Sequence, residues 1–202
     1  MCELLRGDAT AEAAIVRTQE GYDLLPTNID LTAAEIRLMD EPRREQRLKE
    51  GLGPVLGRYD YVLIDCPPSL SLLTLNALAA ADGVVVPMQC EYFALEGLSA
   101  LVNTIDALKQ KLNPALEITG IVRTMYDVRN NLASAVSNEL TQHFGDKVFR
   151  SIVPRNVRLA EAPSHGKSII GYDRASRGGI AYLGLAGEIV RQEKKKATEA
   201  PR

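Results

Sequence analysis

The sequence predicts an α/β protein in which helices sandwich a mostly parallel sheet. Three observations carry this. Tyr61-Val62-Leu63-Ile64 is an apolar run of strand-forming residues that ends in Asp65, and Pro67 and Pro68 then forbid further ladder hydrogen bonding. Gly83-Val84-Val85-Val86 is a second short run, closed in the same way by Pro87. Stretches with helical spacing alternate with such runs, the longest marked by Leu95, Leu98, Leu101, Val102, Ile105, Leu108 and Leu112. Strands alternating with helices build a parallel sheet covered on both faces. A buried strand of that kind delivers Asp65 to the carboxyl edge of the sheet, where α/β proteins bind ligands. At this level Asp65 is either a metal-site carboxylate or the cap of the next turn.

In chain order, residues 3–17 read as helix, and Tyr22 to Leu25, stopped by Pro26, as a short strand. Thr32 with Glu35 three residues later has the form of a capping box and starts a helix through Met39. Past Pro42 a charged amphipathic helix, about Arg43 to Leu56, leads into the strand at 61–65. Leu72 to Ala81 is rich in Leu and Ala and reads as a buried helix. Asn113-Pro114 ends the long helix, and Ile118 to Thr124 is a third strand. Asn131 to Phe144 is a helix stopped by Gly145. Val148 to Val153 is a fourth strand, Lys167 to Tyr172 an edge strand, and Gly179 to Glu193 a final helix. Residues 1–193 thus read as one domain, and 194–202 as a polar, frayed and disordered tail.

A composition of 46% hydrophobic and 25% charged residues is ordinary for a soluble globular protein. No apolar run approaches the roughly 20 residues that span a bilayer, and the N-terminus has no signal-peptide pattern. Cys2, Cys66 and Cys90 lack CxxC spacing, which argues against a disulfide framework or zinc site and fits a reducing cytoplasm. His143 and His165 are isolated, so no His-based cluster is proposed. The net charge of −2 hides an asymmetry: residues 1–122 carry −8 and residues 123–202 carry +6. A basic second half suggests an anionic partner such as nucleic acid or nucleotide. Arg123, Arg129, Arg150, Arg155 and Arg158 lie there, and guanidinium groups suit phosphate recognition. Glu161 is a candidate salt-bridge partner for this group.

Several stretches, in order, closely resemble ParA/Soj-type partitioning ATPases: Tyr61 to Leu70 followed by Leu73 to Leu78, Gln89 to Leu98, Thr124 to Asp127, and Val153 to Leu159 with Glu161 to Ser164. The resemblance runs from about residue 3 to residue 191. It implies a P-loop NTPase fold of the deviant Walker A class, in the MinD/ParA superfamily, acting in chromosome or plasmid segregation. Such proteins bind ATP and Mg²⁺, form a homodimer and coat DNA without sequence preference. A ParB-type centromere-binding partner stimulates their hydrolysis. A cytoplasmic, nucleoid-associated protein follows from the resemblance. Carried over residue by residue, Asp65 resembles the Walker B aspartate that holds Mg²⁺ through water. Cys66, Pro67, Pro68 and Ser69 resemble the switch segment near the γ-phosphate. Pro154, Arg155 and Asn156, with Met125, resemble the adenine side, and Arg129 and Arg158 are the candidates for contacts to the DNA backbone.

The family's phosphate cradle, a Gly-rich run ending in Gly-Lys-Ser/Thr, is not found in these 202 residues. Gly51-Leu52-Gly53-Pro54 has no Lys-Ser/Thr after it, and Gly166-Lys167-Ser168 lacks the earlier glycine. The expectation is an N-terminally truncated form, without the signature lysine or the catalytic aspartate segment, and no catalytic residue is assigned. The strand at 61–65 is then expected to have an unpaired edge and an uncovered apolar face, leaving the isolated monomer poorly stable. A non-catalytic DNA- or partner-binding remnant is the alternative. A membrane-cycling MinD-type protein needs large apolar residues in an amphipathic C-terminal helix, and Glu193 to Ala200 has none. The three cysteines are not placed to ligate a cluster as in a nitrogenase-iron-protein-like chain.

Overall fold

The structure, a computed structural model, describes residues 1–27, 31–67 and 69–199, the side chains of residues 32–34 and 199 excepted. The chain forms two compact units, Met1–Val84 with Asn103–Glu117, and Val85–Val102 with Ile118–Arg202.

In the first unit, α1 (Cys2–Arg6) stops at Gly7, whose left-handed backbone (φ 84°) turns its N–H back to the carbonyls of Glu3 and Leu4. The Arg47 guanidinium covers the same end, donating to the carbonyls of Leu5 (2.9 Å) and Arg6 (2.8 Å). Thr10 then caps α2 (Ala11–Ala14) by accepting from the Ala13 N–H. Two β-branched residues, Ile15 and Val16, make the chain extended, and β1 (Val16–Arg17) pairs antiparallel with β2 (Asp23–Leu24). The single helix expected over 3–17 is therefore broken by a glycine stop, a threonine start and a β-branched pair.

Three helices follow, α3 (Leu31–Leu38), α4 (Arg47–Leu56) and α5 (Leu72–Ala80). Thr32 already lies within α3, so the expected capping box does not start it. Glu35 caps a different helix: its carboxylate accepts the Leu72 N–H of α5 at 2.8 Å. Helix α4 starts later than expected because Arg43 adopts a left-handed backbone (φ 53°) ahead of it. Leu4, Leu5, Leu38, Leu48, Leu52, Val55 and Ala77 form the apolar core. Inside it Asn76, 1% exposed, accepts the Leu48 N–H (3.0 Å) and donates to the carbonyls of Arg44 (2.7 Å) and Leu72 (2.9 Å). Asn113 does a similar job at the other end of α5, donating to the carbonyls of Leu78 and Ala81.

The stretch Tyr61 to Asp65, expected as a strand, is not one. It has no ladder partner among the described residues, and Tyr61, Val62 and Leu63 are exposed, Leu63 to 91%. A strand needs a neighbour to satisfy its backbone groups, so the sequence preference for a strand is present here without the pairing that makes one.

The second unit is built on a sheet of order β3-β4-β5, with β3 Gly83–Gln89, β4 Glu117–Tyr126 and β5 Val148–Pro154. β4 and β5 are parallel, with Ile121 opposite Val148 and Tyr126 opposite Pro154. Pro87 does not close β3, which continues to Gln89; β3 is an edge strand, where a missing N–H is tolerated. Helix α6 (Ala94–Lys111), whose residues from Asn103 on belong to the first unit, carries the long apolar stripe, and α7 (Asn131–Phe144) starts on Asn130, which accepts from Leu132 and Ala133, and stops at Gly145. Two short helices, α8 (Val157–Glu161) and α9 (Ile169–Asp173), precede α10 (Arg177–Glu199). The edge strand expected over 167–172 is instead α9, because the Ser168 hydroxyl accepts the Gly171 N–H and begins a helix. Helix α10 continues through Lys194 to Lys196, beyond Glu193 where the sequence reading ended it.

Val122, Phe149, Val153 and Leu185 form the core between sheet and α10. Glu188 of α10 ties the helix to β5, accepting the N–H groups of Arg150 (2.8 Å) and Ser151 (2.7 Å) and the Ser151 hydroxyl (2.5 Å). Desolvation pushes the Glu188 carboxyl up, but the Ser151 hydroxyl and the two backbone donors outweigh it and hold the carboxyl below its usual range. A carboxyl with a depressed folded pKa contributes stability that is present above its unfolded value of about 4.5 and is lost as pH falls through the folded value. Glu188→Ala is therefore expected to cost about 1–2 kcal/mol near neutrality and less in acid, read from urea midpoints across that pH range. An equal loss at both ends would assign the effect to packing.

Candidate functional site

The sequence-predicted site residues fall in both units. In the first, Asp65 follows the unpaired stretch Tyr61 to Ile64 and is exposed, and its carboxylate accepts no hydrogen bond among the described residues. Cys66 is exposed, with Sγ 3.7 Å from the Ile64 carbonyl oxygen. Desolvation of the thiol, then the neighbouring Asp65 charge, push its pKa up from the usual thiol value. Pro67 and Ser69 are exposed, and the Ser69 carbonyl accepts from the Thr74 hydroxyl at 2.7 Å. Pro68 lies outside the described residues. No group of three or more His, Cys, Asp or Glu side chains gathers into a metal centre among the described residues. An unpartnered carboxylate still suits Mg²⁺, which is commonly held by one or two carboxylates with waters and substrate phosphates.

In the second unit the structure brings Met125, Pro154, Arg155 and Asn156 together at the ends of β4 and β5. Tyr126 stands opposite Pro154, and the Arg155 N–H donates to the Tyr126 carbonyl at 3.1 Å. Asn156 begins α8 by accepting the Arg158 N–H at 2.9 Å, so its amide has a structural duty. Met125 is exposed with a left-handed backbone (φ 51°) at a register irregularity between Arg123 and Tyr126. Such a conformation costs a non-glycine residue about 1–3 kcal/mol and persists only where the surroundings enforce it. Beside these ends lies a largely apolar cleft of about 390 Å³ lined by Tyr126, Val128, Ile152, Pro154, Ile180 and Ala181, with Arg177 as its charged wall, within the size range of small-molecule sites. The exposed Val128 and Ile180 were not singled out from sequence; Val128 is an apolar residue set between Asp127 and Arg129, and that was the available signal. A second hollow of about 780 Å³ lies along β3 and the start of α6, rimmed by exposed Tyr92 and Phe93 in edge-to-face contact.

The arginines divide. Arg123 is structural: its guanidinium donates to the Ser137 hydroxyl (3.0 Å) and the Phe149 carbonyl (2.7 Å). Arg129 and Arg158 are exposed, and each is held by carboxylates. Arg129 donates to Asp127 from Nε (3.0 Å) and Nη2 (2.7 Å), and its backbone N–H donates to the same carboxylate (3.0 Å). These bonds hold the Asp127 carboxyl well below the usual range, helped by the charge of Arg155, and they raise Arg129. Arg158 donates to Glu161 at 2.9 Å and lies 3.5 Å from Asp173, so the expected pairing of Glu161 is present. The Tyr172 hydroxyl also donates to Glu161 (3.3 Å), and the His165 ring stacks on Tyr172. The sequence points to Arg129 and Arg158, but their counter-ions Asp127 and Asp173 emerge from the structure. The two-residue spacing of Asp127 and Arg129 was the visible clue.

The α/β architecture, with a parallel β4–β5 pair and flanking helices, is that of the P-loop NTPases with which comparisons align it. The model of a family described as an AAA domain matches residues 1–118. The structure of cobyrinic acid a,c-diamide synthase from Mycobacterium smegmatis with bound ADP and magnesium superposes with a TM-score of 0.80 at 38% identity, covering 96% of this chain and 71% of that one. The chromosome partitioning protein ParA of Caulobacter vibrioides is 48% identical over 201 residues, 98% of this chain and 75% of that protein. The sporulation initiation inhibitor protein Soj of Bacillus subtilis is 54% identical over 172 residues, 85% of this chain and 68% of that protein. The chain belongs to the ParA/Soj family of chromosome-partitioning ATPases. No described helix is long and apolar enough to cross a membrane.

Proposed function

We propose that the chain acts in DNA partitioning as a nucleotide-responsive, DNA-binding protein, forming a homodimer with ATP and Mg²⁺ and releasing DNA when a ParB-type partner stimulates hydrolysis. The observation that carries this is identity of about half, over nearly the whole chain, to ParA and Soj partitioning proteins. Within the reading, the apolar cleft beside Pro154, Arg155 and Met125 takes the adenine, Asp65 holds hydrated Mg²⁺, and Cys66 to Ser69 is the switch. Mg²⁺, when bound, neutralises phosphate charge in phosphoryl transfer. Arg129 and Arg158 contact DNA phosphates, which carry no sequence code, so binding weakens linearly in log K against log salt. A soluble protein working on the nucleoid in the cytoplasm follows from this role.

No Gly-rich Lys-Ser/Thr cradle lies among the 202 residues, which favours a second reading for these residues by themselves, a non-catalytic DNA-binding module. Titration of the 202-residue chain with a fluorescent ATP analogue, with and without Mg²⁺, separates the two. Mg²⁺-dependent binding that tightens DNA retention supports the first reading. DNA retention indifferent to nucleotide, with no turnover, supports the second, and no DNA retention at low salt overturns the DNA-binding part of both.

A further inference from the structure

We infer that the DNA-facing arginines are masked by their own carboxylates, so that anion binding here is an exchange in which phosphate must displace Asp127 from Arg129 and Glu161 from Arg158. This rests on the reading of Arg129 and Arg158 as phosphate contacts.

The geometry of the first clamp is a fork on a fork. Both oxygens of Asp127 are engaged by Nε and Nη2 of Arg129, the same paired donors a phosphate would use. The Arg129 N–H anchors that carboxylate from below, and Arg155 adds a second positive neighbour, so Asp127 remains an anion across the working pH range. The second clamp is built differently to the same effect. Arg158 sits between Glu161 and Asp173, and the Tyr172 hydroxyl fixes Glu161 against it. Both guanidinium groups remain open to a polyanion; the Arg129 side chain is 86% exposed. An exposed pair of this kind is weak, so a duplex with its dense phosphate charge can win the exchange, but only by releasing a carboxylate. The consequence is a surface that holds DNA loosely by construction, with affinity below what its arginines alone would give.

The test uses the 202-residue chain and a fluorescently labelled duplex of arbitrary sequence, titrated at several salt concentrations. Asp127→Asn removes the charge but keeps an oxygen to accept the Arg129 N–H, so the turn is preserved. It is expected to tighten DNA binding up to about fivefold, the upper range for an exposed pair, and to steepen the log K against log salt slope by about 0.9. Glu161→Gln should act in the same direction through Arg158. In an Arg129→Ala background, Asp127→Asn should have no effect. Tightening of equal size in that background would reduce the result to overall charge and overturn the masking. So would unchanged binding by both Asp127→Asn and Glu161→Gln in a protein that Arg129→Ala still weakens. If neither Arg129→Ala nor Arg158→Ala weakens binding, the DNA-surface reading itself falls, and the masking with it.

Discussion

Asn76→Ala is expected to destabilise the first unit by about 3 kcal/mol or more, the sum of leaving several buried polar groups without a partner. The single amide joins three segments: it accepts from the first turn of α4 at Leu48 and donates to Arg44 ahead of that helix and to Leu72 within α5. Gln46, the residue before α4, contributes no side-chain cap, so Asn76 supplies from a distance what a local serine or aspartate would normally give. The side chain is 1% exposed, and water has little access to replace it. Urea unfolding followed by far-ultraviolet circular dichroism measures the loss. Asn76→Asp is the sharper variant, because it keeps the acceptor and the volume while turning a carboxylate oxygen toward two carbonyls. A loss under about 1 kcal/mol in Asn76→Ala would mean that the three segments hold together by apolar packing alone.

Phe149→Ala is expected to cost the second unit about 3–5 kcal/mol, the range for emptying a fully buried aromatic site. Phe149, 1% exposed on β5, packs with Val122, Val153 and Leu185. Its ring occupies the space where Gly120 of β4 has no side chain: a Cβ at Gly120 would fall 2.5 Å from the ring edge. Gly120→Ala alone should therefore cost about 1–3 kcal/mol by overpacking. The two positions should be strongly non-additive, with Gly120→Ala less harmful in a Phe149→Leu protein than in the parent. Additive losses in a double-mutant cycle would show that ring and glycine do not share the space.

Much of the architecture was legible because its signals are local. Asn130 before α7 and Gly145 after it mark both ends of that helix, and the apolar spacing of α6 fixes its face. Long-range partners were not legible. Glu35 reads as half of a local capping box, yet its carboxylate serves Leu72. Arg123 reads as one of five phosphate-seeking arginines, yet it is spent on Ser137 and Phe149 within the sheet. Lys167 to Tyr172 has strand-like Ile169 and Ile170, and one hydroxyl at Ser168 tips it into a helix. The family pattern names Met125 and Pro154 to Asn156, and the β4–β5 register brings these residues together. The strained backbone at Met125 and the counter-ions of Arg129 and Arg158 emerge only from the folded geometry.

The open stretch before Asp65 also bears on how this chain behaves in crowded solution. Tyr61 to Ile64 is a short, uncharged run of strong β-formers without a ladder partner among the described residues, the kind of segment from which fibrillar stacking starts. Asp60 and Asp65 stand at either end of it and are the only charges between Arg58 and Asp82. They act as gatekeepers, placing like charges together whenever two such runs align in register. The carboxylate at the end of this stretch thus has a colloidal task besides any role toward a metal: it helps keep separate copies of the chain dispersed.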